Sequence, residues 1–209
     1  MTRKVLIIGG HGKVALLAAL LLKDAGFDVT SMIRNPDHES DVIATGAQPL
    51  VQDLTTLSVE RWQDVLGGFD SVVWSAGAGG KGTSADTYAI DRDGAMRMID
   101  ALEQLGDSAP HLVMVSYFGS VGHSVPEHHG FYPYADAKET VDVRLAHSTI
   151  KHVILAPATL TDDPTASITV HEQENAAGDL KTSRSAVAQM IVQAVNEGKE
   201  SGRIAFTDA

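Results

Sequence analysis

The 209-residue chain carries 16 Lys and Arg against 27 Asp and Glu, and its formal charge of -11 argues against a nonspecific nucleic-acid binder or a protein held to an acidic membrane surface, since phosphate-rich partners are repelled. It has no cysteine, so disulfides and thiolate metal centres are excluded and a cytoplasmic location is expected. With 44% hydrophobic and 21% charged residues it is ordinary globular material, enough for one substantial core and short for two, so one domain over residues 1–209 is expected.

Lys4 to Ile8 reads as a buried strand that runs straight into Gly9-Gly10-His11-Gly12 and then a helix, Lys13 to Ala25. Arg3 and Lys4 precede only this short strand, and the apolar run Val14 to Leu22 is too short to span a bilayer, so neither a secretory leader nor a membrane span is expected. Further strands are expected at Asp28 to Ile33, Gln48 to Val51, Ser71 to Ser75, Leu112 to Ser116 and His152 to Ala156. Most are nearly continuous in apolar residues, as strands covered on both faces are. Helices are expected at Val59 to Leu66, Asp86 to Leu105, Tyr134 to His147 and Ser185 to Glu197, the last with Val187, Ile191, Ala194 and Val195 on one stripe. This alternation is the pattern of parallel βαβ units. Thr161 to Thr182 is polar and irregular with one expected strand, Ser167 to His171, and another strand is expected at Arg203 to Thr207. Residues 161–182 and 203–209 thus form only a small lobe on the substrate side.

The spacing Gly9-x-x-Gly12-x-x-Ala15 suits a dinucleotide pyrophosphate. The glycines permit a tight turn whose amides face the phosphates, Ala15 lets helix and strand pack closely, and the helix presents its positive dipole end. About 20 residues on, where an acidic side chain would hold the ribose hydroxyls of NAD, stands Arg34. A guanidinium there suits the 2′-phosphate of NADP, with His11 and Lys13 adding to the same positive patch; NADP is therefore the expected cofactor, NAD the alternative. Asp53 and Leu54 are expected to flank the adenine, and small residues in Ala76-Gly77-Ala78-Gly79-Gly80 allow close approach to the cofactor.

Tyr134 and Lys138 lie on one face of their helix. A phenol has an unperturbed pKa near ~10, and a lysine at this spacing would favour the phenolate for acid/base work. Ser116, at the end of the fifth strand, offers a hydroxyl that could orient a substrate carbonyl. His123, His128 and His129 fall in a loop read as solvated, with no metal site expected. Gly119 to Phe131 joins Ser116 to Tyr134 and suits a lid, with Phe131 and Tyr132 as apolar walls, while Asp162, Asp163, His171 and Glu172 could line the pocket from the other side.

Taken in order, Gly9 to Ala15, Arg34, Asp53-Leu54, Ala76-Gly77, Asp91-x-x-Gly94, Val113-Met-Val-Ser116 and Tyr134-x-x-x-Lys138 resemble the short-chain dehydrogenase/reductase superfamily, and within it the atypical, NmrA-like NAD(P)H-binding branch. The resemblance implies a Rossmann-type α/β fold, a doubly wound parallel sheet in three layers, with catalytic Tyr134 and Lys138 partnered by Ser116. It also extends the cofactor contacts to Gly10, Val14, Lys138 and Pro157. Ala156-Pro157 departs from the family's common Arg-Pro. The implied activity is hydride transfer to or from a small carbonyl or hydroxyl substrate. A cofactor-binding sensor or regulator without chemistry, and a flavin or quinone reductase, are the alternatives the resemblance carries. A monomer or homodimer is expected.

Overall fold

A computed structural model describes residues 2–79, 82–165, 167–174, 178–198 and 201–208. Gly80, in the expected glycine loop, and Ala209, at the end of the expected lobe, lie outside the described residues. The chain begins β1 (Lys4–Ile8), α1 (Lys13–Asp24), β2 (Asp28–Ile33), α2 (Glu39–Ala44), β3 (Gln48–Val51), α3 (Val59–Leu66) and β4 (Ser71–Trp74). A long helical stretch follows, built of α4 (Ser84–Thr87), a π-helical turn (Tyr88–Gly94) and α5 (Ala95–Leu105). Then come β5 (His111–Val115), α6 (Tyr132–Ala146), β6 (His152–Pro157), β7 (Thr159–Thr161), β8 (Ile168–His171), β9 (Lys181–Ser183), α7 (Arg184–Glu197) and β10 (Ser201–Asp208).

The eight-stranded sheet has the order β3-β2-β1-β4-β5-β6-β10-β8, parallel throughout except where β8 runs antiparallel to β10 at the edge. This is the doubly wound Rossmann order extended by two strands. Alternate residues of each inner strand point to opposite layers. Val5 and Ile7 of β1 join α1 and α7, while Leu6 and Ile8 join α3, α5 and α6. Both faces are therefore apolar, which is why the strands read as continuous hydrophobic runs.

Local chemistry explains the boundaries. Ser58 caps α3 by accepting from the Arg61 amide, and Gly198 ends α7 in the left-handed region at φ 56°. α6 starts at Tyr132 rather than Tyr134, because Pro133 is already suited to a first helical turn. The helix expected from Asp86 is not regular: the wider π-helical turn carries Asp91 inward, where its Oδ2 accepts from the Ala78 amide at 2.9 Å. The segment expected as irregular is flanked by β7 and β9, which overlap its two ends and pair with each other in a separate two-stranded parallel sheet. Each is a short run dominated by Thr, Lys and Ser, too brief to show alternation.

A buried ionic network closes the C-terminal end. Asp142 of α6, 1% exposed, accepts through Oδ2 from Ser116, from Ser120 at 2.5 Å and from Arg203 of β10 at 2.8 Å. Arg203 also grips Glu174 bidentately and donates to the Tyr117 carbonyl at 3.0 Å. One guanidinium thus ties β10, α6 and the loop after β5 together. Arg203→Leu strands the Asp142 charge and should cost about 3–5 kcal/mol, read by urea unfolding. Burial works against the Glu174 carboxylate, but hydrogen bonds from Arg203 and the Gly119 amide outweigh it and hold its pKa below the usual range. A lowered folded-state pKa gives stability that is fully present above the unfolded value, ~4.3, and is lost as pH falls through the folded one. Urea midpoints should accordingly hold at neutral pH and fall on acidification below ~4.3, and Glu174→Gln should flatten that fall.

Candidate active site

The sheet's winding reverses at β1, whose neighbours are β2 and β4, so the crevice opens beyond the carboxyl ends of these strands. Gly9 makes it possible. Its φ is +80°, and a Cβ there would stand 2.6 Å from the Ala76 backbone. The turn closes through the Gly12 amide on the Gly9 carbonyl, 2.9 Å. Gly12 caps α1 without any side-chain hydrogen bond, and no acidic residue sits in the first turn, so the helix end is left for an anion.

A cavity of about 710 Å³ occupies the crevice. Gly9, His11, Gly12, Lys13, Val14, Arg34, Asp53, Leu54, Ala76, Gly77, Ala78, Ser116, Tyr134 and Lys138 all line it. Two expected cofactor contacts do not. Gly10 packs against Ser31, whose Cβ would lie 2.5 Å from an added Gly10 Cβ, and its amide donates to Met32. Gly10 therefore seats the turn on β2. Pro157 ends β6 and lines a second cavity instead.

The positive patch is less uniform than its sequence implies. Arg34 is exposed at the rim. His11 pairs through Nε2 with Asp41 of α2 at 2.8 Å and stacks on His38, ring centroids 3.6 Å apart. Lys13 pairs with Asp162 at 2.6 Å. Asp53 uses its carboxylate locally, accepting from the Thr55 amide and hydroxyl at 2.9 and 2.7 Å. Leu54 packs on Gly94, where an added Cβ would meet the leucine's Cδ1 at 2.6 Å.

At the inner end stand Tyr134 and Lys138. Lys138, 3% exposed, donates to the Val115 carbonyl at 2.6 Å, and its Nζ lies 6.0 Å from the Tyr134 ring centroid. Burial, and after it the Asp91 carboxylate, push the Tyr134 hydroxyl pKa well above the usual tyrosine value. Both effects favour the protonated phenol, opposite in direction to the phenolate expected from Lys138. Asp91, 1% exposed, is raised by burial against the opposing effects of Lys138 and the Ala78 amide, and its Oδ1 has no hydrogen-bond partner. Ser116 lines the cavity with its hydroxyl turned to Asp142. A hydroxyl has one proton, and that of Ser116 goes to Asp142.

A second cavity, about 800 Å³, adjoins the first and shares Ala78, Gly79, Ser116, Tyr134 and Leu160 with it. Its wall is aromatic: Tyr117, Phe131 and Tyr134 form a cluster with centroids 5.2–5.6 Å apart. Burial pushes the Tyr117 hydroxyl up to about 12. The expected lid supplies Phe131, while Tyr132 meets His123 edge-on instead. His123 faces Glu139 at 3.4 Å, and among the described residues no group of three or more His, Cys, Asp or Glu is placed to hold a metal. His171 bonds Thr207 at 2.9 Å and packs edge-on against Phe118. His38, Asp91 and Arg184 line the cofactor-sized cavity without having been singled out as contacts. Asp91 had a signal, its place in Asp91-x-x-Gly94; Arg184 had only its position before an expected helix.

The crevice, glycine turn and uncapped helix end define a dinucleotide-binding Rossmann protein. The chain belongs to the NAD(P)H-binding family, whose model matches residues 9–198, and a nicotinamide nucleotide is the cofactor class of that family. It is similar to the Bacillus subtilis protein named "Uncharacterized sugar epimerase YhfK", 26% identical over 205 residues that cover 96% of this chain and 91% of the relative. UPF0659 protein C216.03 of Schizosaccharomyces pombe is 29% identical over 176 residues, 75% of this chain and 70% of that one. Among solved structures, a Bacillus halodurans protein provisionally described as an NAD-dependent epimerase/dehydratase matches with a TM-score of 0.87 at 25% identity, covering 99% of this chain and 94% of that one. No described helix is long and apolar enough to cross a membrane.

Gly9→Ala, which forces a Cβ into the Ala76 backbone at positive φ, should cost about 1–3 kcal/mol in thermal or urea unfolding; a neutral result would contradict the close approach.

Proposed function

We propose that the protein is an NADP(H)-preferring oxidoreductase that reduces the carbonyl of a small, largely apolar molecule held in the aromatic cavity. The observation that carries this reading is the position of Tyr134, which lines both cavities, with Lys138 held at the end of β5 beside it. The residues present suit the cofactor: the glycine turn packs against Ala76 and Ser31 with no room for a Cβ at Gly9 or Gly10, and the α1 N-cap, Gly12, makes no side-chain hydrogen bond. The nicotinamide, when bound, supplies the hydride.

Tyr134 carries on Oη the proton that carbonyl reduction requires; burial and Asp91 oppose its release, and the Lys138 ammonium beside it favours the phenolate that the transfer leaves. Lys138 brings positive charge to the same spot and a donor for a ribose hydroxyl. Asp142 fixes the Ser116 hydroxyl, and Ser116 in turn shapes the wall between the cavities. Among the described residues lining the second cavity, Asp179 is the only charged one, which supports an uncharged substrate. Arg34 and the stacked His11 and His38 support recognition of a 2′-phosphate. A second reading, a cofactor-binding sensor without turnover, is favoured by the commitment of the Ser116 proton to Asp142.

Tyr134→Phe should lower NADPH-dependent carbonyl reduction about 100-fold or more while the NADPH Kd stays within about threefold. Unchanged turnover would remove the acid role, and NADPH binding without turnover across a carbonyl panel would favour the sensor. NADPH should bind more tightly than NADH, and Arg34→Ala should bring the two affinities together by about tenfold. Equal affinities in the parent protein would end the phosphate assignment.

A further inference from the structure

Two cations from different helices meet one carboxylate at the cavity. Lys13 is the first residue of α1, directly after the glycine turn, and Arg184 is the first residue of α7. Both line the cavity. Between them sits Asp162, just beyond β7, whose Oδ2 accepts from Lys13 Nζ at 2.6 Å and whose Oδ1 accepts from Arg184 Nη1 at 2.8 Å. These are the two oxygens of a single anion, each on its own cation.

We propose that Lys13 and Arg184 form a diphosphate clamp for the dinucleotide, and that Asp162 is an internal carboxylate which occupies the clamp and is displaced when the cofactor's diphosphate enters. The inference rests on the cofactor reading above and adds to it a residue, Arg184, and a competitor.

Three observations support it. The α7 end is already capped, with Ser183 accepting from the Ala186 amide at 3.1 Å, so the Arg184 guanidinium and not the helix end is what α7 offers the cavity. Asp162 and Lys13 are largely exposed, at 62% and 68% side-chain accessibility, so the contact is a weak one that a more highly charged anion can replace. A diphosphate presents more acceptor oxygens than a carboxylate and suits a guanidinium fork together with a lysine point charge. The hydrogen bond from Lys13, aided by Arg184, holds the Asp162 carboxyl below its ordinary range, so the competitor is charged at neutral pH.

Displacement also links cofactor to fold. Asp162 follows the short β7–β9 sheet, and β7 contributes Leu160 to both cavities. The displaced carboxylate thus adjoins, in the chain, the wall that the two cavities share.

The test is equilibrium binding of three probes, NADPH, ADP-ribose and adenosine 2′-monophosphate, to the intact chain and to Asp162→Asn, Asp163→Asn and Arg184→Gln, with folding of each variant verified by circular dichroism. Asp162→Asn should lower the Kd of NADPH and ADP-ribose about three- to tenfold, because the competitor is removed. Arg184→Gln should raise both about tenfold. Neither change should move the Kd of adenosine 2′-monophosphate, which lacks the diphosphate, by more than about twofold. Asp163→Asn, which removes the same charge from the neighbouring position, should leave all three unchanged. An equal gain from Asp162→Asn and Asp163→Asn, or an equal gain on all three probes, would reduce the effect to general electrostatics and overturn the clamp. Binding of NADPH by the parent protein with no gain in Asp162→Asn would overturn the inference alone. Failure of the parent and of Asp162→Asn alike to bind NADPH or ADP-ribose would overturn the cofactor reading and the clamp with it.

Discussion

The backbone of Gly9 lies so close to that of Ala76 that no side chain fits between them, an added Cβ standing 2.6 Å from the Ala76 Cα. This approach occurs where β1 and β4 run side by side, at the point where the winding of the sheet reverses. Because the two strand ends are held together there, the loops above them diverge, and the crevice between the loops becomes the cavity. The α1 start is aimed at that cavity by the same turn, through the Gly12 amide closing on Gly9. Without the glycine, the strands separate or the turn unwinds, and neither the helix dipole nor the small residues at Ala76 and Gly77 meet a common ligand.

A second constraint holds the far wall. Arg203, in the last strand, reaches back to Asp142 in α6 and to Glu174, and it also holds the Tyr117 carbonyl. The wall of the second cavity at Tyr117 is therefore held by a residue from the other end of the chain. Ser116 belongs to this support, because its proton goes to Asp142. Tyr134 and Lys138 ride on the same α6 that Asp142 anchors, so the ionic network also supports the helix that carries this pair to the cavity. Asp91 completes the arrangement from the opposite side, clamping the Ala78 amide and biasing Tyr134 toward its protonated form. Burial and an anion thus hold the proton on Tyr134, with the lysine one helical turn away.

Much of this was legible along the chain. The inner strands announced themselves because each is covered on both faces, so nearly every residue is apolar and the runs have sharp ends. The glycine turn was legible because its requirement is local: positive φ and lack of a Cβ belong to the residue itself. Tyr134 and Lys138 were placed together by helical spacing alone. β7 and β9 were not legible because three-residue strands carry no periodic signal; the π-helical turn Tyr88–Gly94 lies inside one continuous helical stretch and carries Asp91 to the Ala78 amide, 13 residues away.

By itself the sequence determined the doubly wound architecture, the position of the crevice and the family of ligands it suits, since these follow from short-range rules of periodicity, backbone freedom and turn chemistry. Only the tertiary structure decided what each polar group is doing. Ser116 turned out to be held by Asp142, Lys13 by Asp162, and His11 by Asp41, with partners lying 26, 149 and 30 residues away along the chain. The physical reason is that a hydrogen bond or an ion pair is fixed by proximity in space, and proximity between distant segments is created by the packing of the core, which no local pattern records.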